Sequence, residues 1–126
     1  PYFNVFEEDV RRIYQKNFQK LIDLNMSFIN FLKEAFEIDT EIIYSSELGI
    51  TSKGSQKLLE IVKAVGGDVY LSGPMGRNYL DTTIFEREGI EVKFQNFKHP
   101  VYKQQFEGFV PNMSAIDALF NVGKFP

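Results

Sequence analysis

The sequence contains no cysteine and no tryptophan, and its single histidine is His99. The lack of cysteine excludes disulfides, thiolate nucleophiles and zinc–thiolate clusters together. One histidine leaves a transition metal with few suitable ligands, and the acidic residues are too dispersed to form a clear magnesium pair. The residues therefore indicate no metal site and identify no cofactor. Any imidazole that acts as a general base must be that of His99.

Positive charge and long apolar runs are also scarce. The formal net charge is −3 and the pI is about 5.2, so the chain lacks the basic surface that binds nucleic acid. No apolar stretch approaches the ~20 residues that span a bilayer, and no secretory leader is visible. We therefore expect a cytoplasmic protein with neither nucleic acid nor membrane as its partner. The sequence opens at Pro1, which favours a fragment of a longer protein.

The residues that are present indicate one α/β domain, since 126 residues suffice for a real core. Residues 1–38 and 58–65 have helix-period apolar positions, with a joint predicted at Asp23-Leu24-Asn25 and a helix end at Gly66-Gly67. Short runs at residues 41–44, 68–72 and 90–95 predict strands, and a brief helix is predicted over residues 81–88. Strand–helix–strand order implies parallel pairing. The predicted fold is a small, mainly parallel three-stranded sheet flanked by helices.

A glycine-punctuated loop between the second strand and the brief helix is the main candidate for a binding site. Backbone amides at such a junction, together with a helix N-terminus, suit a phosphate or carboxylate. Arg77 adds a fork of donors, and Asp81 is placed to cap the helix. The alternative interpretation is a connector that needs two glycines for its turns.

Polar residues follow all three predicted strands, and the carboxyl ends of parallel strands are where α/β proteins bind ligands. If the strands are neighbours, these residues meet Arg77 on one rim. Serines that only satisfy turn backbone are the alternative. The predicted substrate-binding residues are Ser45, Ser46, Ser72, Gly73, Gly76, Arg77, Asn78, Tyr79 and Gln95.

The predicted catalytic residues are His99, Tyr102 and Asp117. His99 would move protons, Tyr102 lies three residues away, and Asp117 would orient the imidazole. The alternatives are a structural histidine, and a capping role for Ser114 with Asp117, with Asn121 sharing the hydrogen bonds of Asp117. A triad of Ser72, His99 and Asp117 is conceivable, but no glycine–serine–glycine elbow supports it.

An ordered set of short motifs resembles the C-terminal half of the WbqC-like protein family. The motifs are Tyr70-Leu71-Ser72-Gly73, Asn78-Tyr79-Leu80-Asp81, Gly89-Ile90, Phe94-Gln95, His99-Pro100-Val101-Tyr102 and Ser114-Ala115-Ile116-Asp117 through Gly123. Leu24-Asn25 and Ser45-Ser46-Glu47-Leu48 also resemble the family pattern. The resemblance covers nearly the whole chain, and full family members carry a further N-terminal half with a His-Gln-Pro-x-Tyr-x-Pro-like motif.

This resemblance implies a role in sugar or O-antigen polysaccharide biosynthesis, as part of an enzyme that transfers an acyl or aminoacyl group. The implied substrate is a small molecule such as an amino sugar or nucleotide sugar. One alternative is a non-catalytic binding or oligomerisation module, and a second is a nucleotidyltransferase-like fold that rests on topology alone. A half-protein would leave a sheet edge or an apolar face unburied, so we also expect a homodimer or larger homo-oligomer.

Overall fold

The computed structural model describes residues 1–124, which form two compact units. The first unit consists of Pro1–Thr40 together with residues 98–124, and the second of Glu41–Phe97. The helices and strands of the described residues are, in chain order, α1 (Phe3–Gln15), α2 (Leu21–Ala35), a 3₁₀ helix (Ser45–Leu48), α3 (Gly54–Ala64), β1 (Val69–Ser72), a second 3₁₀ helix (Pro74–Asn78), α4 (Thr83–Arg87), β2 (Glu91–Phe94) and α5 (Ala115–Val122). Within residues 1–124, no helix has both the length and the apolar character needed to cross a membrane.

The first unit is a helical layer in which α5 contacts both α1 and α2. Aromatic side chains make many of these contacts, such as the edge-to-face pair of Phe3 and Phe120, whose ring centroids lie 5.1 Å apart. Ala118 and Leu119 of α5 are fully buried. Burial of such side chains removes apolar surface from water, which is the main force that holds helices of this length together.

The two helices predicted within residues 1–38 are confirmed, but the joint between them is not where the sequence indicated. It lies at residues 16–20, and Asp23 belongs to the first turn of α2. An acidic side chain is favourable there because the helix N-terminus carries partial positive charge. The polar residues that looked like a break are therefore part of the start of a helix.

The second unit has an apolar core between α3, α4 and a parallel pair of strands. β1 and β2 pair from Val69 with Glu91 to Ser72 with Phe94, which confirms the parallel pairing. The core residues Leu59, Val62, Phe85 and Ile90 lie beneath the strands. Helix α3 ends at residue 64, and Gly66 then has the left-handed φ of +70° that terminates helices, as the sequence predicted.

The third strand predicted over residues 41–44 was wrong. This segment is neither helix nor strand, and the sheet of the described residues has two strands. Ile42, Ile43 and Tyr44 are 38–47% exposed, and the Tyr44 carbonyl accepts a hydrogen bond from the Glu47 amide at 2.9 Å. A short apolar run becomes a strand only when a neighbouring strand supplies ladder hydrogen bonds.

Candidate functional site

The carboxyl ends of β1 and β2 bring together several of the predicted binding residues. Ser72 pairs with Phe94, and the Gln95 amide donates to the Ser72 carbonyl at 2.8 Å. The guanidinium carbon of Arg77 lies 4.3 Å from the centroid of the Phe94 ring. We call Ser72, Gly76, Arg77, Phe94 and Gln95 the strand-end cluster.

Arg77 differs in its contacts from two other arginines. The guanidinium groups of Arg11 and Arg12 pair with carboxylates, whereas that of Arg77 packs on an aromatic face, which leaves its N–H donors for an anion.

Gly76 is required by the close approach of the 3₁₀ helix to the strand ends. A Cβ atom at this position would lie 2.0 Å from Ser72 Oγ and 3.3 Å from Cε1 of Phe94. Gly73 is different, because a Cβ atom there would meet nothing within 4 Å. Only the second of the two glycines is therefore needed for packing.

Much of the loop backbone predicted to hold an anion is already hydrogen-bonded internally. The amide of Gly76 donates to the Gly73 carbonyl at 3.0 Å, and the amides of Tyr79 and Leu80 donate to the Gly76 carbonyl at 3.2 and 2.8 Å. These bonds arise because residues 74–78 form a 3₁₀ helix, where the sequence predicted an open loop. The guanidinium of Arg77 is consequently the main anion-binding group that this cluster offers.

The remaining predicted binding residues lie elsewhere in the second unit. Ser45 and Ser46 begin the 3₁₀ helix that contacts α3, so they do not follow a strand. The Asn78 amide lies 4.0 Å from the Met75 sulfur, and Tyr79 is largely exposed. The prediction that Asp81 is the cap of α4 was wrong by one residue, since the N-cap is Thr82 and has no side-chain cap bond. One Asp81 carboxylate oxygen accepts from the Thr83 amide at 3.1 Å and the Thr83 hydroxyl at 2.6 Å, which fixes the turn just before the helix.

The first unit contains a hydrogen-bonded network around Asp117, which lies in the first turn of α5. The Tyr102 hydroxyl donates to Asp117 Oδ2 at 2.7 Å, which joins two of the three predicted catalytic residues. Asn121 donates to Asp117 Oδ1 at 3.1 Å, as its position four residues later indicated. Ser114 caps α5 by accepting from the Ile116 amide at 3.3 Å. The capping role belongs to Ser114, while the Asp117 carboxylate is used by the network.

Gln104 is a member of this network that the sequence analysis missed. Its Nε2 donates to Asp117 Oδ2 at 3.0 Å and to the Val110 carbonyl at 2.9 Å. Gln104 lies 13 residues from Asp117 along an irregular segment, so no helical or strand period connects them. The nearest sequence signal is the run of polar and aromatic residues from 97 to 106.

His99 lies beside this network and packs against aromatic rings. Its ring centroid is 5.8 Å from those of Tyr102 and Phe109. His99 Nδ1 is 2.9 Å from the Pro100 carbonyl oxygen. Since a carbonyl can only accept, Nδ1 carries a proton, and Nε2 is the basic nitrogen of the neutral ring. This tautomer suits a general base that acts through Nε2.

Burial and hydrogen bonding change the acidity of Tyr102. The side chain is buried, and loss of hydration raises its pKa because the phenolate would be poorly solvated. The hydrogen bond to Asp117 raises the pKa further, since ionisation would place two negative groups in contact. Tyr102 is therefore a hydrogen-bond donor at neutral pH.

A cavity of about 700 Å³ opens beside the Asp117 network within the first unit. Its lining combines a carboxylate, side-chain amides, one ammonium group and two aromatic rings. The residues that supply them are Phe3, Lys103, Gln104, Gln105, Asp117, Phe120 and Asn121, and Pro1 completes the lining. Ligand sites commonly pair an apolar wall with a few polar groups in this way.

The predicted binding and catalytic residues belong to different units. The nine binding residues fall within Glu41–Phe97, while His99, Tyr102 and Asp117 fall within residues 98–124. That the two sets of residues serve one site therefore stays a prediction. Ser72 Oγ donates to the Gly73 carbonyl at 3.2 Å, which is not the arrangement of an activated nucleophile. Residues 1–124 contain no group of three acidic or histidine side chains placed to hold a metal ion.

Comparison with known protein families identifies the family of the chain. The model of the WbqC-like protein family matches residues 1–125. The chain belongs to this family. The resemblance of the motifs is thus confirmed over essentially the full sequence.

A curated relative of this WbqC-like chain is the uncharacterized protein Rv1507c of Mycobacterium tuberculosis. The two are 30% identical over 101 residues, which cover 79% of this chain and 44% of the relative. The WbqC-like chain therefore corresponds to less than half of the length of that relative. No solved structure matches the chain.

Proposed function

We propose that the chain is part of a cytoplasmic WbqC-like enzyme of sugar or surface-polysaccharide biosynthesis. The reaction is the transfer of an acyl or aminoacyl group to an amino sugar or nucleotide sugar. Family membership provides the context for this proposal. The observation that carries it is the cavity beside Asp117.

The lining of this cavity is suited to a carbohydrate. A sugar ring presents hydroxyl groups, which need both donors and acceptors, and a C–H face that packs on aromatic side chains. Gln105 provides both donors and an acceptor, Asn121 Oδ1 and Asp117 accept, and Phe3 and Phe120 provide the apolar wall. An amino group on the sugar would be attracted by the Asp117 carboxylate.

The roles that we propose for individual residues are those that the sequence predicted, and the contacts of the side chains support them. His99 accepts the proton of the attacking amino or hydroxyl group through Nε2 and later returns it to the leaving group. Tyr102 and Asp117 position the imidazole through the contact of the His99 and Tyr102 rings. Arg77, whose guanidinium packs on Phe94, provides a binding group for an anion such as a phosphate within the second unit. Ser72 and Gln95 of the strand-end cluster support this binding role with polar side chains.

A thermal-shift screen against amino sugars, nucleotide sugars and acyl donors tests the proposal. A ligand that binds only the folded state raises the melting temperature, by an amount that grows with its concentration relative to Kd. We expect stabilisation by an amino-sugar compound and its loss in Asn121→Leu, which removes a polar group from the cavity. Stabilisation that persists in Asn121→Leu would reject this cavity as the site.

A second candidate function is a non-catalytic binding or oligomerisation module, and exposed apolar side chains favour it. Val101 is 77% exposed and Phe106 is 81% exposed, and both lie in the irregular segment before α5. Large apolar side chains exposed within one segment offer a surface that a partner or a second copy of the chain would cover. Light scattering over a range of concentrations tests this function: a homodimer or larger assembly supports it, and a monomer at high concentration rejects it.

A further inference from the structure

The loop of residues 104–110 is closed by a single side chain. Gln104 Nε2 donates to the Val110 carbonyl at 2.9 Å, and the Val110 amide donates back to Gln104 Oε1 at 2.8 Å. Between these ends, Gly108 has a φ of +87°, which L-residues rarely adopt. The side-chain amide of Gln104 thus makes the two hydrogen bonds that a facing backbone N–H and C=O would make with Val110, and it holds the two ends of the loop together.

The same amide also fixes the carboxylate at the centre of the network. Its second Nε2 hydrogen is donated to Asp117 Oδ2, the oxygen that also accepts from the Tyr102 hydroxyl. Both donor hydrogens of the Gln104 amide are therefore used. No other residue type of this length supplies two donors and an acceptor in this arrangement, because glutamate lacks the donors.

The closed loop carries an aromatic ring to the predicted general base. Phe109 is the residue before Val110, and its ring centroid lies 5.8 Å from that of His99 and 5.6 Å from that of Tyr102. A change in the ends of the loop would move this ring. These ring contacts and the Nδ1 contact with Pro100 contribute to the orientation of the His99 imidazole.

We propose that Gln104 is a positioning residue for His99. Its one amide holds the loop that places Phe109 beside the imidazole, and it also holds the Asp117 carboxylate that fixes Tyr102, the third ring of the same cluster. The catalytic meaning of this arrangement rests on the function proposed above. The coupling of Gln104 to His99 does not, because it is a property of the unliganded protein.

The test uses the fact that His99 is the only histidine of the chain, so its imidazole signals in an NMR spectrum are unambiguous. Gln104→Met keeps the length of the side chain and removes all three hydrogen bonds. We expect the cross-relaxation signal between the His99 and Phe109 rings to be lost and the imidazole resonances to shift. We also expect the Val110 amide to exchange with solvent about tenfold faster, as fits the loss of its hydrogen bond.

Two further variants provide the controls. Gln104→Glu keeps the acceptor for the Val110 amide but loses both donated bonds. The His99 imidazole resonances of this variant should therefore shift, while the exchange rate of its Val110 amide should change less than in Gln104→Met. Gln105→Met changes the exposed residue next to Gln104, which also lines the cavity. It should leave the His99 imidazole resonances and the Val110 amide exchange rate as in the wild type. His99 resonances that are unchanged in Gln104→Met, or that shift equally in Gln105→Met, would overturn the proposal.

A measurement on the wild type decides the case in which Gln104→Met does not fold. The closed loop predicts that the Val110 amide exchanges more slowly than the amide of Phe106 at the loop tip. Equal exchange rates would overturn the proposal. Failure of every sugar to bind would remove the proposed function alone, since neither the NMR contacts nor the exchange rates involve a ligand.

Discussion

The two units are stabilised in different ways. The second unit has a contiguous apolar core in which Phe85 is fully buried and stacks on Tyr70 at a centroid distance of 5.3 Å. The first unit relies on helix contacts and on polar side chains that tie an irregular segment to α5. Apolar burial does not depend directly on pH, whereas hydrogen bonds to a carboxylate depend on its charge. The difference predicts that the stability of the first unit responds more strongly to pH than that of the second.

The largest expected effect is on the apolar core of the second unit. Phe85→Ala removes a fully buried ring and should lower the free energy of unfolding by ~3–5 kcal/mol, because it loses apolar burial and leaves a cavity. Urea denaturation measures this change. The matched control is Phe106→Ala, an exposed ring, which should change stability by less than ~0.5 kcal/mol. Similar losses for both variants would contradict the described core.

The next effect tests the close packing of the strand-end cluster. Gly76→Ala should cost ~1–3 kcal/mol, because its Cβ would overlap with Ser72 Oγ, while Gly73→Ala should be nearly neutral. Thermal unfolding of the two variants compares them directly. Adding Ser72→Ala to Gly76→Ala should restore part of the loss, since it removes the closest atom. Equal stabilities of the two glycine variants would show that the 3₁₀ helix does not lie against Ser72.

A third effect tests the polar network of the first unit. Tyr102→Phe removes the hydrogen bond to Asp117 and should cost about 1–2 kcal/mol near pH 7. The raised pKa of Tyr102 adds a signature at high pH. Above pH ~10 the unfolded tyrosine ionises while the folded one does not, so the wild type should lose stability there. Urea denaturation between pH 8 and 11 should show that the wild-type curve falls more steeply than that of the variant, and parallel curves would contradict the assignment.

The smallest effect on stability, and the most specific on binding, concerns Arg77. Arg77→Ala should cost about 0.5–1 kcal/mol through loss of the contact with Phe94, and leave the fold intact. It should also weaken binding of phosphate-containing substrates, whereas Arg12→Ala, whose guanidinium pairs with acids, should not. Calorimetric titration provides the affinities, and an unchanged affinity in Arg77→Ala would reject its role.

Local features of this chain were predictable from the sequence, and contacts between distant segments were not. The Ser114 cap, the left-handed Gly66 and the approach of Gln95 to Ser72 follow from signals within a few residues or from parallel pairing. The strand at residues 41–44 failed because its existence depends on a partner that its own residues do not specify. The link from Gln104 to Asp117 crosses an irregular segment, where no periodicity relates sequence separation to distance.

The most direct test of the account is an NMR titration of the protein with a nucleotide-linked amino sugar. The account predicts that the backbone amides of Lys103, Gln105 and Asn121, which line the cavity, shift in proportion to bound ligand, together with the imidazole signals of His99. Amides that stay unshifted around this cavity at saturating ligand, or shifts confined to other surfaces, would contradict it.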